Sequence, residues 1–319
     1  MRAITIIEPG PLATVQDKGR FGFRHCGVPV CGAMDPQALR LANLLAGNRA
    51  DAACIEITMG GFSARFQVDA HFALAGARSP ARLNGGAVSS WRRCFARKGE
   101  MIEIGLPLNG FRTYLAVEGG LDVSPVMGSR STFLKGGLGG LEGRALRKED
   151  VLFLGPAVSG GAISEIPAEL IPACSDKTVL RALAGPQIDR LSPCGMQTFW
   201  GSEYVVSSRS DRMGSLLCGP AVELECGADI ISDGAFPGAV QIPGNGQPVV
   251  LGCDCQTTGG YVKAASVIAV DLPGLGQLGP GATVRFARVG LDEARLAYLK
   301  NEYLLGRLFE KSHEAGGGR

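Results

Sequence analysis

The sequence predicts a mainly β protein built as two β-rich domains with a few helices, and three observations carry that reading. Short alternating or continuous apolar runs recur along the chain, which is the pattern of strands. The 47 glycines and 18 prolines follow no collagen-like period, and they supply the backbone conformations that tight turns between strands need. The length, 319 residues of which 45% are hydrophobic, exceeds what one ordinary core fills and provides apolar surface for two. The same numbers exclude a helical bundle and a disordered chain.

Strands are expected at residues 4–7, 64–68, 72–75, 101–104 and 113–117, then at 151–154, 179–183, 204–206, 221–224, 239–242, 248–251, 264–270 and 283–286. Three segments, 98–104, 147–153 and 279–286, share a polar turn followed by an alternating strand and read as repeated hairpin units. One helix is well specified. Asp35 caps it, Pro36 suits its first position, Leu39, Ala42 and Leu45 form its apolar stripe, and Gly47 ends it over a sheet. A second helix starts at the potential cap Asp292 and runs through Leu304, while the tail past Phe309 lacks apolar residues and is expected to be disordered. Residues 155–177, with Pro156, Pro167 and Pro172 among small residues, read as a linker. The expected domains are therefore 1–172 and 173–290, followed by a helix and tail at 291–319.

A formal charge of +2, from 32 basic and 30 acidic residues, gives no field that would recruit nucleic acid or an anionic membrane. The opening MRAITIIEPG breaks at Pro9 before a signal-like apolar run, and no stretch approaches eighteen apolar residues, so a cytoplasmic protein with no membrane contact is expected. The ten cysteines form no CxxC pair and only His25, His71 and His313 accompany them, so no metal site is expected. Cys253-Asp254-Cys255 and His25-Cys26 have soft-metal character, but reduced packing thiols are the commoner reading.

No Walker A sequence, nucleophile elbow, HExxH or dinucleotide fingerprint is present. Candidate chemistry therefore rests on polar turns. Residues 14–20 place Gln16, Asp17 and Arg20 in a turn after a strand, where Arg20 suits a planar carboxylate or amide and Asp17 suits a base or orienting group; an Asp-type turn with an ion pair explains them equally well. Residues 208–214 repeat the combination with Asp211 and Arg212. Residues 254–261 present Asp254, Gln256, Thr257, Thr258 and Tyr261 after a buried strand, a favoured place for substrate contacts. The glycine strings 136–140 and 259–260 can expose amides to an anion, although turns are the commoner use. The helix cap already accounts for Asp35.

The motifs TVQDKGR (14–20), GAMDPQALRLANLLAGN (32–48), IEIT (55–58), RTYLAVEGG (112–120), GSRST (128–132), GGLGGLEGR (136–144), SDRMG (210–214), PGAVQIPGNGQPVVL (237–251) and QTTGGY (256–261) occur in this order. With them the sequence resembles the allophanate hydrolase subunit 2 family over roughly residues 4–290. The resemblance implies two cyclophilin-like β-barrel domains, and two partners, a B subunit of related fold and an A subunit. The implied activity is hydrolysis of 5-oxoproline to glutamate with ATP and Mg2+. Carboxyl transfer in a biotin-dependent urea or amide carboxylase, and non-enzymatic antagonism of a kinase inhibitor, are the alternatives the family offers. An unstrained lactam hydrolyses slowly, and ATP supplies the drive by activating the amide oxygen. Arg20, Arg212 and Lys263 are then the candidates for neutralising phosphate and carboxylate. Asp17, Asp211 or Asp254 would take the ring-nitrogen proton or hold a divalent ion. Carried onto this chain, the catalytic set is Asp17, Asp211, Arg212 and Asp254. The substrate-binding set is Gln16, Arg20, Asp35, Gln241, Gln256, Thr257, Thr258, Tyr261 and Lys263. Members of the family commonly follow SDRMG with an aromatic residue, Arg and Leu, where this chain has Ser215, Leu216 and Leu217. Cys255 stands where Arg or Ala is frequent, and Val262 where Pro is usual. These departures bear on substrate specificity.

Overall fold

A computed structural model describes residues 1–157 and 163–316, with side chains as far as Glu310. Residues 158–162, part of the expected linker, and residues 317–319, part of the expected disordered tail, lie outside the described residues. The chain divides into two units. The first comprises Met1–Arg20, Cys31–Cys174 and the chain from Leu304; the second comprises Phe21–Val30 and Ser175–Tyr303. Each unit thus takes in a segment that a division at one sequence position assigns to the other. Packing explains this: Leu305 and Leu308 are buried with Leu41, Leu44 and Leu45 in the first unit, and Arg24 donates to the Ala235 carbonyl in the second.

The first unit runs β1 (Ala3–Pro9), β2 (Leu12–Gln16), α1 (Pro36–Ala46), β3 (Cys54–Thr58), β4 (Phe62–Phe66), β5 (Ala70–Arg78), β6 (Ala81–Leu83), β7 (Gly86–Val88), β8 (Arg93–Ala96), β9 (Met101–Ile104), β10 (Asn109–Val117) and β11 (Val151–Phe153). Six strands form a sheet in the order β11-β1-β4-β9-β6-β7 and five form another in the order β2-β3-β10-β5-β8. Ile4, Ile6, Phe62 and Phe66 from the first sheet share one core with Val15, Ile55, Ile57 and Phe72 from the second. Burying one such side chain contributes roughly 1.5–3 kcal/mol, so this cluster holds the two sheets together. Asp35 caps α1 through Ala38 N–H, and Gly47 ends it with φ 81°. Its Ala38, Leu39 and Ala42 face Ala75, Tyr114 and Ala116 of the five-stranded sheet.

The second unit runs β12 (Lys177–Ala184), α2 (Pro193–Gly201), β13 (Tyr204–Val206), β14 (Gly214–Cys218), β15 (Asp229–Gly234), β16 (Ala239–Ile242), β17 (Val249–Leu251), β18 (Thr258–Val267), α3 (Leu272–Gly276), β19 (Thr283–Arg288) and α4 (Leu291–Gly316). Seven of its strands close a barrel in the order β12-β19-β13-β14-β17-β16-β18, with β18 returning to β12. The length of β18 makes this closure possible. Residues 265–267 pair with β12, 262–266 with β16, and 258–261 with β15, which hangs outside the barrel. Leu180, Phe199, Tyr204, Val250, Val284 and Phe286 lie in the core.

The mainly β class is therefore borne out. The strand expected at 221–224 is absent, since only Leu224 bridges, to Leu191; Val222 N–H instead bonds the Gly246 carbonyl, and Pro220 offers no N–H to a ladder. The disorder expected past Phe309 is corrected as well, because α4 continues to Gly316. A helix already nucleated and anchored by Leu305 and Leu308 propagates through polar residues at little cost. All ten cysteines are free thiols, and no helix of the described residues is long and apolar enough to cross a membrane.

Candidate functional site

The expected site residues fall into two groups, one in each unit. In the first unit, β2 delivers Gln16 and Asp17 into a turn. Asp17 Oδ1 accepts from Gly19 N–H (2.8 Å) and from the hydroxyls of Ser129 (2.7 Å) and Ser131 (2.6 Å), and Oδ2 accepts from Arg130 N–H (2.6 Å). Arg20 has no exposed surface; its Nε donates to the Val126 carbonyl (3.0 Å) and its Nη2 to the Ser131 carbonyl (2.8 Å). Gln16 Nε2 donates to Thr14 Oγ1 and to the Thr132 carbonyl. Gly139 closes the knot at φ 68°, where a Cβ would lie 2.1 Å from the Ser131 carbonyl oxygen and 2.7 Å from Arg20 Nη2. TVQDKGR, GSRST and the glycine string are therefore one hydrogen-bonded turn assembly.

In this structure Asp17, Gln16 and Arg20, expected in catalysis and substrate binding, engage one another's turns, and Asp17 also lines the neighbouring cavity. Both Asp17 oxygens are engaged by fixed donors. Arg20 Nη1 and Gln16 Oε1 keep no partner among the described residues, but both lie in the interior. Beside the knot is a polar cavity of about 450 Å³ walled by Lys18, Arg49, Asp51, Asp122 and Arg130. Its charges pair within it: Lys18 and Arg49 reach Asp51 (3.2 and 3.1 Å), and Arg130 reaches Asp122 (3.6 Å).

Asp35 stands apart at the start of α1. Its Oδ1 accepts from Ala38 N–H (2.8 Å) and its own N–H donates to Tyr114 Oη (2.7 Å). Tyr114 in turn donates to Glu56 Oε2 (2.7 Å), which also accepts from Met34 N–H, and Arg112 Nε lies 3.8 Å from Glu56 Oε1. Burial first, and the Glu56 carboxylate second, push the Tyr114 phenol well above its ordinary pKa. The motifs hold each of these residues but do not show that they meet. The signal of the network is Glu56 inside the fully buried strand Cys54–Thr58, since a buried carboxylate requires partners.

In the second unit, Arg212 and Asp254 make a two-pronged ion pair, Nε to Oδ2 and Nη2 to Oδ1, both 2.9 Å, with both side chains buried. Arg212 Nη2 also reaches Cys253 Sγ (3.1 Å). Asp254 thus orients a guanidinium. Asp211, expected to be catalytic, takes its turn's Met213 and Gly214 N–H groups on Oδ1 (2.7 and 3.3 Å). Cys255 packs with Ala235, Ala239 and Leu251, and burial pushes its thiol pKa up. The Arg24 guanidinium, which donates to the Ala235 carbonyl, acts the other way on this thiol without outweighing burial.

Gln241 and Lys263 lie directly opposite each other on β16 and β18. Lys263 Nζ contacts Asp233 Oδ2 (2.7 Å), and its backbone N–H bonds Gln187 Oε1. Gln256, Thr258 and Tyr261 are exposed along the same strand entry, with Thr257 half-buried. Gln241 and Gln256 are thereby brought together at Gly259, and Lys263, opposite Gln241, reaches Asp233, the cross-strand partner of Gly259, while Arg212 and Asp254 form a separate pair. Among the described residues no three His, Cys, Asp or Glu side chains converge as metal ligands.

Residues 26–288 match the family described as carboxyltransferase domain, subdomain A and B. The chain is 43% identical to the 5-oxoprolinase C subunit of Escherichia coli K12, over 91% of this chain and 93% of that protein. It is 37% identical to the 5-oxoprolinase C subunit of Haemophilus influenzae, over 96% of this chain and 97% of that protein. Its fold superposes on K. lactis urea amidolyase with a TM-score of 0.91 at 29% identity, covering 96% of this chain and 20% of the larger one.

Proposed function

The chain belongs to the carboxyltransferase domain family, subdomains A and B, and from that premise we propose that it is the C subunit of a 5-oxoprolinase, a hydrolase that opens the ring amide of 5-oxoproline to give glutamate. One observation carries this reading. Two bacterial proteins bearing the name of that 5-oxoprolinase component correspond to it over 93% and 97% of their lengths, whereas the urea amidolyase holds the same region as 20% of a longer chain. The proposed partners are the A and B subunits of the same enzyme, and the proposed location is the cytoplasm.

Opening an unstrained amide needs activation, which ATP with Mg2+ supplies in the proposed reaction. Three N–H groups of the glycine string are engaged within the protein, Gly137 on the Leu134 carbonyl, Leu138 on Phe133 and Gly140 on Arg130. ATP is proposed to act at the level of the complex. This chain contributes fixed donors, the Arg212 fork held by Asp254 and the Gln241 and Lys263 pair, where negative charge must be met.

Reconstitution with the A and B subunits provides the test. ATP hydrolysis is expected in proportion to glutamate formed, stimulated by 5-oxoproline and indifferent to avidin. ATP turnover that is equal with and without 5-oxoproline would refute the proposal. The TM-score of 0.91 against a urea amidolyase supports a second reading, carboxyl transfer in a biotin-dependent carboxylase. Inhibition by avidin together with bicarbonate dependence would decide for it.

A further inference from the structure

In the second unit, donors face inward with too few acceptors. Gln241 and Lys263 are 3% and 2% exposed, and Gln241 Nε2 meets no acceptor among the described residues. Folded proteins seldom keep a buried amide NH2 in that condition unless water, an ion or a ligand accepts from it. The Lys263 ammonium, with three N–H groups to place, contacts Asp233, whose side chain is 59% exposed on the outlying strand β15. A buried cation thus depends on an anion that reaches in from solvent.

Gly259 explains how the group is kept open. Its φ lies outside the left-handed region, so the backbone would admit any residue, yet a Cβ there would sit 2.5 Å from Gln241 Nε2 and 3.5 Å from Gln256 Nε2. The missing side chain leaves both amide groups facing one spot, and Gln256 is exposed to solvent.

We infer that Gln241, Gln256 and Lys263 form a carboxylate-binding subsite over Gly259, in which Asp233 is a resident counter-ion that gives way to the carboxylate of the ligand. Two amide groups and one ammonium match the two oxygens and single charge of a carboxylate, whereas a phosphate would bring a second charge against the same lone ammonium. Asp233 is suited to leave because it is largely solvated already, and its carboxyl, held below its ordinary pKa by Lys263 and by Gly234 N–H, departs as an anion. The inference rests on the oxoprolinase reading only in naming 5-oxoproline as the carboxylate.

The test titrates the full-length chain, alone and co-purified with its partners, with 5-oxoproline, acetate, inorganic phosphate and 2-pyrrolidinone, which is the lactam without its carboxylate. 5-Oxoproline is expected to bind at least about tenfold more tightly than 2-pyrrolidinone. Gln241→Glu, which sets a like charge against the ligand, should weaken 5-oxoproline by about tenfold or more, while Asp233→Asn, which removes the competing anion, should tighten it by about threefold. Equal binding of 2-pyrrolidinone, preference for phosphate, no carboxylate binding in either form, or unchanged affinity in Gln241→Glu overturns the subsite. If Gln241→Glu melts early, Asp233→Asn carries the test, and unchanged or weaker binding there overturns it. Carboxylate binding that depends on Gln241 in a complex unable to hydrolyse 5-oxoproline keeps the subsite and removes the oxoprolinase reading. Hydrolysis with an unchanged KM in Gln241→Glu does the reverse.

Discussion

Arg212 and Asp254 show how a single side chain's surroundings decide what it can do. Both are buried and joined by two 2.9 Å hydrogen bonds, so removing one partner strands the charge of the other. Arg212→Met is expected to cost about 3–5 kcal/mol in urea unfolding, and the double variant Arg212→Met with Asp254→Leu should recover most of that loss. A double variant as unstable as the single one would show that the pair is not the unit that matters. The motifs make both residues visible, but not their mutual engagement, because 42 positions separate them and no spacing rule links the two loops. Asp17 is equally visible, and its work is hidden for the same reason. A sequence shows that a carboxylate is present, but not that its oxygens already meet four donors, three of which come from residues 129–131.

Among the elements, α1 is legible from end to end because all its determinants are local: Asp35 at the cap, Pro36 at the first position and Gly47 past the end. Asp35→Ala is expected to lower stability by about 1 kcal/mol, read as a lower Tm, with the helix retained by its buried face. An unchanged Tm would mean that the cap contributes nothing. The strands β2, β3 and β14 escape strand reading, although their residues lie inside or beside the motifs, because polar or small residues interrupt their apolar pattern. Gln16, Glu56 and Ser215 are all buried there, in surroundings that only the folded chain supplies. The helix α2 escapes for a different reason. Its cap signal, Ser192 before Pro193, is clear, but Gly195 and Gly201 weaken the helical pattern between them. Gly195 is there for space, since a Cβ would lie 2.1 Å from the Glu223 carbonyl oxygen.

For the molecule as a whole, the two β-rich units are readable from strand count, glycine content and length, while the exchange of segments between them is not. Residues 21–30 and the chain from Leu304 belong where their contacts lie, and one sequence offers no record of that. Acid should act on the first unit through two aspartates. Arg49 and, less strongly, Lys18 hold Asp51 below its ordinary pKa against its burial. Burial pulls Asp150 upward, but Arg144 and Arg147 N–H outweigh it and leave its pKa lowered. Groups lowered on folding stabilise the native state above their unfolded pKa of about 4, and that contribution disappears as pH falls through the folded values. The Tm is therefore expected to fall between about pH 5 and pH 2, and Asp150→Asn should flatten that decline while lowering Tm at neutral pH. An identical slope in the variant would remove Asp150 from the account. The barrel of the second unit has a consequence of another kind. By closing on itself it leaves β15 as an open rim, with Ile231 almost wholly exposed between Asp229 and Asp233. Such a rim is a template for self-association, and the two aspartates act as gatekeepers against it. Asp233 thus guards colloidal behaviour as well as Lys263, and neutralising it calls for dilute protein and for light scattering beside every titration.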